Sequence, residues 1–245
     1  MIRPLAAIAC AAAAVVIWVS PGASASAQRG APLAGDGAAL YRESCSTCHG
    51  ADLRGVAGKG PNLRGVGARA ADFYLSTGRM PLAHPDDEPV RNPPAFERAQ
   101  RKALIDYVAS FGGPPVPATD PAEGSISQGQ RLFADSCSGC HQIVGRGGIV
   151  PPSGVAPPLQ KATATQIAEA IRIGPYTMPR FDELHLDDRE VASIASYVVS
   201  TRDPADRGGW GIGHIGPVPE GMVAWLLAGV ALLLVVRLLG ERTTR

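Results

Sequence analysis

The feature that most constrains this chain is a pentapeptide that occurs twice: Cys45-Ser46-Thr47-Cys48-His49 and, 92 positions later, Cys137-Ser138-Gly139-Cys140-His141. Two thiols three residues apart, with a histidine directly after the second, form the attachment pattern for c-type haem. The thiols add to the porphyrin vinyl groups as thioethers, and the adjoining imidazole is brought to one face of the iron. A zinc site is the competing reading, with the two Cys-x-x-Cys pairs closing a single tetrahedron. The histidine added to both pairs, and the 88 residues between Cys48 and Cys137, favour two separate haem sites. Cys10 is the only other cysteine, so no thiol is left over for a structural disulfide.

Axial ligation is one of the protein's levers on a haem iron, so the ligand on the second face matters. The chain has four methionines: Met1, Met80, Met178 and Met222. Met1 is the initiator and Met222 lies in a terminal apolar run. Each haem motif is thus followed by one usable methionine, 31 residues from His49 to Met80 and 37 from His141 to Met178. Both precede proline, Pro81 and Pro179, and a residue before proline is driven out of helical geometry into an extended conformation. Such a loop can deliver a thioether sideways to an iron. The alternative role for both is core gap-filling. His84 and His185 compete as ligands, but each stands among acidic residues (Asp86, Asp87; Asp182, Glu183), as solvated surface histidines do. His214 lies outside both repeats.

Helical patterning accompanies each motif. Asp36 is an expected N-cap for a short helix over Gly37 to Ser44. Glu97 to Phe111 sets Ala103, Leu104, Tyr107, Val108 and Phe111 at three- and four-residue spacing. The second repeat has the same elements at Gly129 to Ser136 and at Asp187 to Ser200, where Val191, Ile194, Ala195 and Val198 form the apolar stripe. No strand pattern of comparable length occurs in either repeat.

With these residues in order, each repeat resembles a class I cytochrome c domain. The first has Tyr41 in its opening helix, the haem motif Cys45 to His49, Gly60-Pro61-Asn62-Leu63, Met80-Pro81 and a closing helix ending Ile105-Asp106-Tyr107-Val108. The second has Phe133, Cys137 to His141, Ala156-Pro157-Pro158-Leu159, Met178-Pro179 and Ile194-Ala195-Ser196-Tyr197-Val198. The resemblance implies two covalently bound haem c, attached through Cys45, Cys48, Cys137 and Cys140, with His49, Met80, His141 and Met178 as axial iron ligands. It also implies that the carbonyls of Pro61 and Pro157 accept the second N–H of each proximal imidazole. Each repeat spans only about 75 to 80 residues, a size at which one apolar core is marginal and a staple is commonly needed. The haem supplies that staple, so haem-free polypeptide is expected to be largely unfolded.

Topogenic segments flank the repeats. Arg3, an apolar stretch from Leu5 to Val19 and a small-residue run ending Ala25-Ser26-Ala27 read as a secretory signal peptide cleaved after Ala27; an uncleaved N-terminal anchor is the other reading. Cys10 lies too near the N-terminus to be a lipoprotein site. Met222 to Leu239 is apolar apart from Arg237, and 18 helical residues cover about 27 Å, enough for a bilayer core if Arg237 snorkels. Arg237, Arg242 and Arg245 at its C-terminal end place the C-terminus in the cytoplasm and both haem domains outside. The expected organisation is all-α: two tandem class I cytochrome c domains plus a C-terminal transmembrane helix. Its boundaries are 1–27 signal peptide or anchor, 28–34 linker, 35–113 first domain, 114–126 proline-rich linker, 127–202 second domain, 203–218 Gly/Pro-rich neck, 219–240 transmembrane helix and 241–245 cytoplasmic tail.

Charge is nearly balanced, +1 over 245 residues. Residues 35–111 carry ten basic and nine acidic side chains, and residues 112–203 seven and ten. No basic run supports nucleic-acid binding or long-range steering of a soluble carrier, and a tethered protein needs less steering because its anchor raises the local concentration of a membrane partner.

The whole order, together with Ser76-Thr77-Gly78-Arg79-Met80-Pro81 and the neck Gly216-Pro217-Val218-Pro219-Glu220-Gly221-Met222, resembles the di-haem cytochrome cc subunits of actinobacterial cytochrome bcc complexes, which are menaquinol:cytochrome c reductases of the bc1 type. The resemblance implies a translocase subunit that takes electrons from the Rieske iron-sulfur subunit and delivers them to an aa3-type cytochrome c oxidase. Quinol chemistry would belong to the cytochrome b subunit, leaving this chain with no catalytic residue of its own. The alternatives are a free-standing membrane-anchored di-haem carrier for another dehydrogenase or oxidase, including a cbb3-type oxidase, and a di-haem peroxidase, against which a methionine available to close each iron argues.

Overall fold

The computed structural model describes residues 35–151, 154–202 and 217–243. The N-terminal leader with Cys10 and its cleavage point, the linker at 28–34, His214 and nearly all of the neck lie outside the described residues.

The first domain is built from four helices. Helix α1 (Gly37–Ser44) starts where the Asp36 carboxylate accepts the Ala39 N–H at 2.8 Å, the expected cap. A single turn, α2 (Ser46–His49), carries the haem motif. Helix α3 (Gly67–Ser76) follows, then α4 (Arg98–Ala109), whose start is held by the Gln100 side chain accepting the Glu97 N–H at 3.1 Å. After one 3-10 turn at Pro121–Glu123, the second domain repeats the plan with α5 (Ile126–Ser136), α6 (Ser138–His141), α7 (Ala164–Ile173) and α8 (Asp188–Ser200). Helix α8 opens on a reciprocal cap: Asp187 accepts the Glu190 N–H at 2.7 Å and Glu190 accepts that of Asp187 at 2.9 Å.

Three differences from the sequence reading have local causes. Helix α5 starts at Ile126 rather than Gly129 because Ser125 caps it from the Gln128 N–H at 3.4 Å. Helices α3 and α7 add to the helices that the sequence pattern predicts. Finally, the second domain contains a small antiparallel hairpin, β1 (Gly148–Val150) and β2 (Gly154–Ala156), pairing Gly148 with Ala156, Ile149 with Val155 and Val150 with Gly154. Strands of three residues are too short to carry a readable alternation.

The first and last helices of each domain cross at glycine. A Cβ on Gly37 would lie 2.0 Å from the Ala103 carbonyl oxygen, and one on Gly129 would lie 1.9 Å from that of Ser193. Backbone therefore touches backbone at the α1–α4 and α5–α8 crossings, and no other residue fits there. Around the first crossing Leu40, Tyr41, Leu53, Leu75, Leu104 and Val108 form the core, with Ala103, Tyr107 and Phe111 half-buried against it. Around the second, the expected α8 stripe of Val191, Ile194, Ala195 and Val198 is no more than 2% exposed at any position. Full burial of such a side chain stabilises by roughly 1.5–3 kcal/mol. Each core contains one aromatic pair across the crossing, Tyr41–Tyr107 with ring centroids 5.3 Å apart and Phe133–Tyr197 at 5.4 Å.

The two domains meet along a polar seam between α3 and α7. Gln166 donates to the Ser76 hydroxyl at 3.1 Å. Arg91, in the loop after Met80, donates to the Gln166 side-chain carbonyl at 2.9 Å and to the Lys161 backbone carbonyl at 3.0 Å. Beyond the second domain, α9 (Pro217–Thr243) includes a stretch of 22 residues, Glu220–Glu241, within which an 18-residue window has mean hydropathy 2.5. At 1.5 Å per residue it covers about 33 Å, long and apolar enough to cross a membrane. Trp225, Leu226, Leu227 and Leu233 project from it uncovered by protein. Arg237 pairs with Glu241 at 3.3 Å near its end.

Candidate haem-binding sites

Each motif begins at the last turn of the domain's first helix. The Cys45 N–H bonds to the Tyr41 carbonyl at 2.8 Å, and the His49 N–H bonds back to the Cys45 carbonyl at 2.9 Å. In the second domain Cys137 bonds to Phe133 and His141 to Cys137, both at 2.9 Å. The motif is thus one helical turn whose residues i, i+3 and i+4 share a face. That spacing turns the two thiols and the imidazole of each motif to the same side.

The four motif cysteines form no disulfide with one another. Burial first, and the second thiol of the pair next, push the Cys45 and Cys137 thiols up to about 11. Among the described residues no three Cys, His, Asp or Glu side chains gather as a metal set, so the two pairs do not converge on one ion.

The histidines are buried, each 9% exposed. His49 Nδ1 donates to the Pro61 carbonyl at 2.9 Å, and His141 Nδ1 donates to the Pro157 carbonyl at 3.1 Å. A proton held on Nδ1 leaves the lone pair on Nε2, the nitrogen then available to a metal. Burial also pulls the His141 imidazolium below its ordinary range, against the opposing effect of the Pro157 carbonyl. The proline loops are tied by matching bonds: Gly55 N–H to the His49 carbonyl and Leu63 N–H to that of Leu53, both at 2.8 Å, against Gly147 to His141 at 3.0 Å and Leu159 to Gly145 at 2.8 Å. The β1–β2 hairpin occupies the greater length of the second loop.

Met80 and Met178 both sit half-buried against their domain cores. The first shares its cluster with Cys45 and Leu63, and the second with Cys137 and Leu159. The same trio of thiol, leucine and thioether therefore borders each core. The Met80 N–H bonds to the Tyr74 carbonyl at 3.1 Å and the Met178 N–H to the Pro175 carbonyl at 3.0 Å. The Met80–Pro81 peptide is cis.

The arginine before Met80 is suited to a haem. Its guanidinium stacks 4.8 Å over the Phe73 ring, and Nη1 is buried with no hydrogen-bond partner among the described residues. An unpaired buried N–H costs about 1–3 kcal/mol. A haem brings two propionate carboxylates, the acceptors that such a group lacks. Soft thioethers, imidazoles and paired thiols complete a donor set suited to haem c.

The cytochrome c family model matches residues 34–112, and the model for cytochrome c oxidase, cbb3-type, subunit III matches residues 124–198. The cytochrome bc1 complex cytochrome c subunit of Corynebacterium diphtheriae is 35% identical over 228 residues, covering 85% of this chain and 80% of that protein. The protein of the same name from Mycobacterium tuberculosis is 34% identical over 240 residues, 94% of this chain and 85% of its own. The chain belongs to the cytochrome bc1 complex cytochrome c subunits. A more distant similarity, 29% over 185 residues, links it to the cbb3-type cytochrome c oxidase subunit CcoP of Rhodobacter capsulatus, covering 67% of this chain and 61% of that one.

Each Cys-x-x-Cys-His motif stands in a cytochrome c domain of its own. The competing histidines lie at the surface: the His84 N–H is bonded to Asp87 at 2.8 Å, and the exposed His185 ring pairs with Asp182 at 2.7 Å. Two tyrosines that brace the motifs were not assigned that role from the sequence. The Tyr41 hydroxyl donates to the Gly50 carbonyl at 2.8 Å, just after His49, whereas in the second domain the brace comes from α8, with Tyr197 donating to the Ile143 carbonyl at 2.6 Å. The exchange of Tyr41 for Phe133 at matching positions was the visible sign, since a domain that loses one hydroxyl needs another donor for its loop.

Proposed function

We propose that this chain is the membrane-anchored di-haem electron conduit of a respiratory quinol:cytochrome c reductase. Cys45 and Cys48 hold one haem c and Cys137 and Cys140 the other. His49 and Met80 close the first iron, and His141 and Met178 the second. When bound, haem c supplies a one-electron iron couple at each site. The residues of the chain supply the rest. Pro61 and Pro157 keep each proximal imidazole in the tautomer that presents Nε2, the methionine loops bring a thioether that raises the potential relative to a second imidazole, and Arg79 offers its free N–H to a propionate. The apolar residues around each motif keep water from the iron.

Helix α9 anchors the chain with its C-terminus cytoplasmic and residues 35–202 outside. The chain stands beside a cytochrome b subunit, accepts electrons from the Rieske iron-sulfur subunit, and delivers them to an aa3-type oxidase. What carries this reading is the duplicated arrangement of thiol pair, proline-braced histidine and core-bordering methionine in a chain of this family. The similarity to CcoP favours the second reading, an oxidase-bound or free-standing carrier. The position of the apolar helix after both haem domains favours the first.

The ligand set is tested by the long-wavelength sulfur-to-iron charge-transfer band of the oxidised protein. Met80→Ala and Met178→Ala should each remove about half of it, and the double variant all of it. A band indifferent to both changes would refute the assignment.

A further inference from the structure

The seam between the two domains contains a carboxyl group that the haem chemistry does not use. Glu169, on α7, is fully buried, 0% exposed, and neither of its oxygens meets a donor among the described residues. Its polar neighbour is the Asp72 carboxyl, across the seam on α3. An ionised carboxylate can only accept, so two of them face to face make no hydrogen bond and repel. One proton turns the same contact into an O–H···O bond between the domains.

The surrounding charges do not remove the need for that proton. From α3, Arg69 faces Glu169, but it also faces Arg172, Arg180 and Glu183, and its attraction is outweighed by burial and by Asp72. On α7 itself, Arg172 is committed to Asp188 of α8 at 2.6 Å and to the Leu186 carbonyl at 2.7 Å. Arg91 is committed to Gln166 and to the Lys161 carbonyl.

We propose that Glu169 and Asp72 share a single proton and so form a latch that locks the two haem domains together at neutral pH and releases them in alkali. The latch is independent of which partners exchange electrons with the chain. Its strength follows from burial: desolvation, then the Asp72 charge, push the Glu169 carboxyl up to about 9. The packing of one domain on the other is thereby tied to one titratable contact.

The test is pulse-labelling hydrogen exchange on the haem-loaded full chain in detergent, read separately for peptides of α3 and α7 and for those of α4 and α8. Between about pH 7.5 and 10.5, protection of α3 and α7 in the wild type should fall by about tenfold or more, the equivalent of one pK unit. Helices α4 and α8 should keep theirs. Glu169→Gln, whose amide donates to Asp72 without titrating, should hold protection flat, and Asp72→Asn, which leaves burial as the remaining cause of the raised carboxyl, should move the loss to lower pH. The proposal is overturned if all three proteins lose protection in parallel, as loss of a methionine ligand in alkali would cause. It is equally overturned if the wild type loses none.

Discussion

At the scale of the residue, the two sites differ most at the position after the proximal histidine. Gly50 stands there in the first domain with φ 77° and ψ 150°, a conformation open in practice only to glycine. The second domain has Gln142 with φ 59° and ψ 160°. A side chain held in that region costs on the order of 1–3 kcal/mol. Gln142→Gly should therefore raise the stability of the second domain by about 1 kcal/mol, read as a higher denaturation midpoint with the haem spectrum unchanged. The tyrosine braces lead to the opposite expectation. Tyr41→Phe and Tyr197→Phe each leave a loop carbonyl short of a donor, and each should lower the stability of its own domain by about 1 kcal/mol in the same assay.

At the scale of the element, the helix crossings are the least tolerant points of the fold. Gly37→Ala or Gly129→Ala would set a methyl inside the contact distance of a backbone oxygen, which cannot rotate away. Overpacking typically costs about 1–3 kcal/mol and more when backbone must move, so each variant should lose about 3 kcal/mol and show slower or failed haem incorporation on a haem-stained denaturing gel. These glycines were visible in the sequence only as members of short helices. Helices α4 and α8 were legible because their stripes (Leu104, Val108; Val191, Ile194, Ala195, Val198) and the cap at Asp187 agree with one another. Helix α7 carried an equally readable start, Thr163 with Gln166 three residues on, the pair that caps it at 3.1 and 3.2 Å. The hairpin and the Arg91 contact were not legible. The first is too short for periodicity, and the second joins residues 75 positions apart with no local signature. For the site, thiols, histidines and methionines could be read from spacing alone, whereas the orphaned N–H of Arg79 and the buried Glu169 depend on what folds around them.

At the scale of the whole molecule, two small cores joined by a polar seam should depend on haem for their order. A Cys137→Ala/Cys140→Ala variant should lose most of the helical circular dichroism of the second domain; native helix content in that variant would contradict the haem as staple. Stability should also vary with pH in a defined direction. The folded chain holds a proton on Glu169 that the unfolded chain releases above the ordinary carboxyl range, because the folded value is raised to about 9. That contribution is fully present below about pH 4.5 and is lost as pH rises through about 9. Denaturation midpoints of Glu169→Gln should lack this decline.

The most direct test of the central claim is a reduced-minus-oxidised spectrum of the protein drawn from its native membranes in mild detergent by a C-terminal tag. A fixed conduit within a reductase–oxidase assembly predicts c-type bands accompanied by b-type and a-type bands in steady proportion across preparations. A c-type spectrum alone, unchanged as detergent is lowered, would contradict it and leave a free-standing carrier.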